Sequence, residues 1–368
     1  MKIRTITCHD VYNLGASLQA YALQTYLESI GNEVQIIDYK PSYLSGHYQL
    51  WGNINPIFDK PLLKQLYLIA KLPERLLSLK RKTIFDDFTK NYLKLTRRYH
   101  NNDELKQDPP QADIYIAGSD QIWNTLYPNG KDPAFYLDFA PKGKRRISYA
   151  ASFATKEIQK DCHDFVSQML QGLDAISVRE RTSLSLLERL GIKDGVAVCD
   201  PVFLLTKEQW EKFIPATNNK DKYLVVYDFE HSPEIRDIAT TLALRNKWKI
   251  YNIGPFKESY AHKNLVNIGP LEFVSFIAHS HFVITNSFHA TAFSLIFNRE
   301  MCVVNRKEGI NERMASLLND FRLKERLVAD FTDTLMQPID WAPVNQQIKV
   351  LAKASKDFLC KQMEKCEA

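Results

Sequence analysis

His289 and Arg179 are the two side chains whose type and placement most suit chemistry, since each lies just beyond an apolar, strand-like run. His281 to Thr285 has a β-branched bias, Asn286, Ser287 and Phe288 make a sharp transition, and His289 to Phe297 is apolar at helical spacing. In a strand–turn–helix unit the helix's free N–H groups face the strand's carboxyl end, where a phosphate or carboxylate is favoured. A histidine at that mouth can donate to an anion or shuttle a proton at neutral pH, or merely pack beside a capping turn. Arg179 follows Ala175 to Val178, where a guanidinium suits bidentate binding of phosphate or carboxylate; a surface pairing with Glu180 is the plainer alternative. A third burst of hydrogen-bonding residues, Gly118 to Asn124, follows the strand-like Asp113 to Ala117. There Asp120, Gln121 and Asn124, with Trp123 as a rigid wall, form what a ligand-lining loop needs. Asn13 to Ser17, with Gly15 at its centre, either lets backbone approach a ligand or is a tight turn capped by Ser17.

The elements that must position these residues alternate. Ile3 to Thr7 reads as a strand, Ser17 to Ile30 as a helix closed by Gly31, and Val34 to Tyr39 as the next strand, a βαβ opening. Ile147 to Phe153 and Val196 to Cys199 are further strands, the latter stopped at Asp200-Pro201. After a polar break near 205 to 220 a second alternation begins: strands at Tyr223 to Phe229, Lys249 to Ile253, Leu265 to Ile268 and Met301 to Val304, with helices at Pro233 to Lys247 and Leu271 to His279. A helix from Ile310 to Phe321, a strand at Arg326 to Val328 and a helix near Val344 to Glu364 complete it. The expected organisation is a domain over 1–205, a second over 206–330, and a tail over 331–368 whose helix packs back on the first. Strands are missing from Pro56 to His100, which reads as a basic helical insertion. Between Lys60 and Arg98 it carries eleven Lys or Arg interleaved with leucines, a pattern for an anionic membrane face, a charged acceptor, or a hairpin packed on its own protein.

At 368 residues the chain exceeds what one core usually covers, so two domains are expected. Its net charge of +5 is mild, arising from 48 basic and 43 acidic residues, and suggests no nucleic-acid partner. Six scattered cysteines without a C-x-x-C pair read as reduced packing residues of a cytoplasmic protein. The early charges of MKIRTITCHD and the lack of an apolar span of about 18 residues predict neither a signal peptide nor a membrane-spanning helix. His279 and His281 share a strand face but lack a Cys or carboxylate cluster, so no metal site is expected.

GSDQIWN at 118–124, YAASF at 149–153, SVRE at 177–180, DP at 200–201 and TNSFHATAFSLIFN at 285–298 together resemble the polysaccharide pyruvyl transferase family. Asn13-x-Gly15-Ala16-x-Leu18-Gln19 is similar to that family's N-terminal loop, so the resemblance runs from residue 10 to about 325. It implies an α/β, GT-B-like fold: two Rossmann-type domains facing across a cleft, here with the helical insertion in the N-terminal one. It implies transfer of the enolpyruvyl carbons of phosphoenolpyruvate, a donor substrate rather than a cofactor, onto two hydroxyls of one sugar as a cyclic ketal. Carried over residue by residue, the histidine of the SFH motif is His289 and the arginine of the SVRE motif is Arg179, both on the donor. Asn286 and Ser287 would line that site, and Asp120, Gln121 and Asn124 would face it from the acceptor domain. Arg306 and Arg313 are additional cations for the donor, or surface residues. The acceptor would be a glycan or its lipid-linked oligosaccharide precursor, reached at the inner membrane face through 60–98.

The chemistry of the residues fits this independently. Phosphoenolpyruvate concentrates a phosphate and a carboxylate on a small frame, so its site needs cations and N–H donors at a helix mouth. Ketal formation needs an acid for the methylene carbon and a base for the sugar hydroxyl. A nucleotide-sugar glycosyltransferase would use the same cleft but needs an acidic residue for the ribose, for which Glu300 is the nearby candidate. A non-enzymatic carbohydrate-binding module would need no acid and anion clamp converging from two domains.

Overall fold

Short, buried, β-branched runs make strands that are covered on both faces, which is the requirement of a parallel sheet. A computed structural model describes residues 1–44, 65, 79–217, 219–307 and 311–367. β1 (Lys2–Ile6), β2 (Glu33–Tyr39), β3 (Leu95–Tyr99), β4 (Ile114–Ala117) and β5 (Arg145–Ser148) form an all-parallel sheet in the order β3-β2-β1-β4-β5. β6 (Ser177–Val178) and β7 (Val196–Ala197) pair with each other and join that sheet through bridges from Ile147 to Ala175 and Ala151 to Val178. The second sheet holds β8 (Tyr223–Tyr227), β9 (Lys249–Asn252), β10 (Lys263–Asn264), β11 (Phe282–Thr285), β12 (Glu300–Val304) and β13 (Leu327–Val328). Its order is β10-β9-β8-β11-β12-β13, again parallel throughout. The chain is therefore an α/β protein of two Rossmann-like domains. In each sheet the strand order reverses once, between β1 and β4 and between β8 and β11, and ligand crevices open at the carboxyl ends of such pairs.

Helix Leu14–Ser29 starts with Asn13, not Ser17, as its cap: the Asn13 side-chain Oδ1 accepts from the N–H groups of Gly15 at 3.0 Å and Ala16 at 3.2 Å. Ser17 already lies inside the helix. Gly31 follows the helix at a φ of +89°, a conformation that costs glycine little. One apolar cluster joins this helix to the second domain through Leu18, Leu23, Trp210, Phe273 and Phe293, so the domains share a core. Trp210 is fully buried with its ring edge-on to Phe293 at 5.0 Å, and burying one such side chain contributes about 1.5–3 kcal/mol. The last helix, Trp341–Glu367, returns to the first domain. There Ser355 Oγ accepts from the Cys199 N–H at 2.9 Å, and Arg145 donates to Gln362 at 2.5 Å.

The basic tract departs from its expected form. Residues 79–92 are helical, but Leu95–Tyr99 is the edge strand β3. The period changes from helical to near alternation there: Tyr99 is buried while Arg97 and Arg98 face solvent, as edge strands that resist further pairing often do. Arg81 donates to Tyr12 O at 2.9 Å and Val266 O at 3.4 Å, tying the two domains, and Lys82 pairs with Asp86. Apart from Gln65, the part of the tract before Leu79 lies outside the described residues. Two strands are also displaced from expectation. β5 ends at Ser148, before Ala150 turns at a φ of +51°, and pairing with β9 begins at Lys263 rather than Leu265.

Candidate active site

Each functional side chain is set by the end of a strand. Beyond β4, Gly118 packs so closely on Tyr149 that a Cβ would lie 2.2 Å from the Tyr149 carbonyl oxygen, and its φ is +127°. Gln19 accepts from the Ser119 N–H at 3.2 Å and Thr7 donates to Ser119 O at 2.8 Å, bracing the loop that presents Asp120. Beyond β6 comes Arg179. Its Nη1 meets Asp200 Oδ2 at 2.8 Å, its Nε meets Glu180 Oε1 at 3.0 Å, and its Nη2 lies 3.5 Å from Asp120 Oδ1. The Phe288 ring lies under the guanidinium, 4.5 Å from Cζ. Burial works to lower the pKa of Arg179, but Glu180, Asp120 and Asp200 outweigh it and hold the group charged. Of the three carboxylates Asp120 is the one near the surface, with 15% of its side chain exposed against 3% for Glu180 and none for Asp200.

His289 enters from the second domain as the second residue of helix Phe288–Ile296, which Ser287 caps by accepting from the Ala290 N–H at 3.5 Å. Its Nε2 faces Asp200 Oδ2 at 3.6 Å. The opposite edge of the ring abuts Gly15, where a Cβ would lie 2.0 Å from Nδ1, so only glycine fits. Burial works to raise the pKa of Asp200, but His289 and then Arg179 overcome it and hold the carboxyl well below the usual range.

Arg313, on helix Glu312–Asp320, completes the cluster. With its amide carbonyl turned toward the guanidinium, Gln121 accepts from Arg313 Nη1 and Nη2 at 3.0 and 3.1 Å. No carboxylate among the described residues pairs with Arg313. Burial, and then the nearby Arg179, push its pKa down to about 10. A small, partly open pocket of about 40 Å³ borders the cluster, lined by Arg179, Asp200, Phe288, Arg313, Ser316 and Asp320. Across its lining, Arg181 of the first domain meets Asp320 of the second at 3.0 Å.

The structure thus gathers His289, Arg179, Arg313, Gly15, Asp120 and Gln121. It does not build a separate acceptor wall, because Asp120 and Gln121 contact the same two guanidiniums that would hold the donor. Asn124 is fully buried and its Oδ1 accepts from the Leu126 N–H at 3.1 Å. Asn286 donates to Asp228 at 2.6 Å and accepts from the Phe229 N–H at 3.1 Å, and Ser287 and Asn13 cap helices. In all four a side-chain oxygen accepts from backbone N–H groups. Trp123 is core rather than wall: it is fully buried, stacks on Tyr136 at 5.6 Å and donates to Phe135 O at 3.0 Å. Arg306 meets Glu230 at 3.3 Å. Asp200 and Glu180 are the functional positions that the sequence reading passed over. An acid followed by proline at a strand's carboxyl end was the available signal for Asp200.

The family model for polysaccharide pyruvyl transferase matches residues 13–308, a span that holds every member of the cluster except Arg313. No curated protein matches the chain. Among solved structures, the chain is similar to a UDP-GlcNAc 2-epimerase from Neisseria meningitidis bound to UDP-GlcNAc, at 11% identity and a TM-score of 0.45, covering 96% of this chain and 100% of that one. It is also similar to the S. aureus MnaA–UDP co-structure, at 11% identity, a TM-score of 0.47 and 94% coverage of both chains. The E. coli heptosyltransferase WaaC with ADP matches at 12% identity and a TM-score of 0.40, over 98% of this chain and 100% of that one.

Proposed function

The chain belongs to the polysaccharide pyruvyl transferase family, and we propose that it moves the enolpyruvyl group of phosphoenolpyruvate onto two hydroxyls of one sugar, in a surface glycan or its lipid-linked precursor. The observation that carries this reading is Arg313, a buried guanidinium without a carboxylate partner among the described residues, set beside Arg179 and lining one pocket with it and Asp200, the carboxylate that His289 faces. A buried cation whose hydrogen-bond partner among the described residues is a neutral amide is stabilised by an anion, and a guanidinium offers phosphate or carboxylate two parallel N–H donors. Arg179, already engaged by three carboxylates, orders the cluster more than it attracts charge.

In this reaction His289 gives a proton to the methylene carbon, so the central carbon takes on oxocarbenium character that a hydroxyl oxygen attacks. Phosphate leaves with the C–O bond electrons, the second hydroxyl closes the ketal, and the two hydroxyl protons balance the new methyl and the released phosphate. Asp120, the least buried carboxylate of the three, receives a hydroxyl proton in this reading. A nucleotide-sugar reading loses its ribose ligand. Glu300 opens β12 at the end away from the cleft, accepts from the Ile339 N–H at 3.0 Å and lies 3.5 Å from Arg326.

Calorimetric titration with phosphoenolpyruvate, beside UDP and GDP sugars, tests the donor. Wild-type protein should bind phosphoenolpyruvate, and Arg313→Ala should bind it about 10- to 100-fold more weakly, the worth of a charged hydrogen bond. Equal affinity in the two proteins would sink the assignment.

For a lipid-linked acceptor the same reading includes contact of the 60–98 tract with an anionic bilayer. Among the described residues no helix is long and apolar enough to cross a membrane, so such contact would be peripheral. Sedimentation with anionic vesicles should then be strong at low salt and lost at high salt. Binding that is absent, or indifferent to salt, would leave the tract as packing alone.

A further inference from the structure

His289 has two nitrogens, and the structure treats them differently. Nε2 is buried and has no hydrogen-bond partner, yet it faces Asp200 Oδ2 at 3.6 Å, beyond hydrogen-bond reach but an ion-pair contact that a shift of a few tenths of an ångström would close. Nδ1 lies on the Gly15 side, where the missing side chain leaves the ring edge its space, and unlike Nε2 it is not sealed from the surface. Asp200 cannot swing away. Its Oδ1 accepts from the Val202 N–H at 3.1 Å, its Oδ2 is held by Arg179 at 2.8 Å, and Pro201 begins the 3-10 turn Pro201–Leu204 directly after it. The groups around the pair are Arg179, with Glu180 and Asp120 on its far side, and Arg313, which meets Gln121.

We propose that Asp200 is a positioning residue that takes the Nε2–H of His289, so that Nδ1 is the nitrogen that works on the ligand. This rests on the pyruvyl-transfer reading for its catalytic meaning, though not for its geometry. A buried ring N–H needs an acceptor, and Asp200 is the one carboxylate among the described residues that meets it. With that proton anchored, the protonated imidazole has its second proton on Nδ1. Transfer to the methylene carbon forms the new C–H bond, breaks Nδ1–H and leaves a neutral ring in the Nε2–H form. A carboxylate that selects a histidine tautomer in this way is a general device of acid–base sites. Asp200 also sits where the first domain ends and His289 arrives from the second, so the correct tautomer exists only when the two domains are docked.

Nitrogen-15 histidine NMR on the full chain reads the tautomer directly, with the His289 signal assigned by its loss in His289→Gln. In its neutral form, wild-type His289 should carry its proton on Nε2. Asp200→Asn should lose that preference and lower kcat by about 10²- to 10⁴-fold, with a far smaller change in phosphoenolpyruvate affinity. A wild-type ring protonated on Nδ1 overturns the proposal, as does an Asp200→Asn variant that keeps both the Nε2–H form and wild-type kcat. If Asp200→Asn does not fold, the wild-type tautomer alone decides. A protein that shows the Nε2–H tautomer but never consumes phosphoenolpyruvate would retain this assignment and refute the pyruvyl-transfer reading instead.

Discussion

Arg179→Ala is expected to cost the fold about 3–5 kcal/mol, because it would strand Asp200 and Glu180, both buried, without their cation. The reading of Arg179 as a free donor clamp would have predicted weaker ligand binding with little loss of stability; the three carboxylates around it make stability the larger effect. The pH dependence separates the two. In the wild type the folded pKa of Asp200 lies below its unfolded value, since His289 and Arg179 outweigh burial. Its contribution is therefore present above the ordinary carboxylate range and is lost as pH falls through that range, near about 4, toward the folded value. In Arg179→Ala, burial is opposed by less positive charge and the folded pKa rises, so that group loses less stability as pH falls than it does in the wild type. Urea unfolding of both proteins at several pH values should show the gap between them narrowing from neutral pH toward acid. A gap that stays constant, or a variant as stable as the wild type at pH 7, would remove Arg179 from the centre of the cluster.

His289→Ala is expected to keep phosphoenolpyruvate binding within a few-fold and to lower kcat by about 10²- to 10⁴-fold, the usual span for a lost general acid. The fold should tolerate the change, because Asp200 keeps Arg179 as its partner and the Gly15 side loses a contact rather than gaining a clash. Binding should therefore survive through Arg313 while turnover does not. Single-turnover release of phosphate, followed in both proteins, isolates the chemical step. Normal phosphate release in His289→Ala would assign the acid elsewhere.

Much of the site's frame is legible in the sequence, because strand ends, helix starts and turns are short-range matters of periodicity and residue type. The unit around His289 appears as β11, helix Phe288–Ile296 and β12, and Arg179 and Asp120 fall just beyond β6 and β4, where strand–loop transitions put them. The β1–helix–β2 opening was readable for the same reason, whereas the loop at Gly15, read as an approach to a ligand or a turn capped by Ser17, packs its glycine against His289. β3 was missed because edge strands carry exposed cations, and Arg97 and Arg98 look the same on a solvated helix as on a sheet edge.

What the sequence by itself determined is the alternation of elements, the two-domain division and the set of residue types delivered to the strand ends. Only the tertiary structure decided how those residues divide the work. Asn124 and Asn286 turned out to hydrogen-bond loop backbone, Trp123 to fill the core, and Asp200 to stand between Arg179 and His289. The physical reason is that an amide or carboxylate beside a turn bears the same local signature whether its partner is a neighbouring N–H, a distant guanidinium or a ligand. Which partner wins depends on distances of a few ångströms between segments as far apart in sequence as Gly15 and His289, set when helix Leu14–Ser29, the turn at Pro201 and helix Phe288–Ile296 pack into one core.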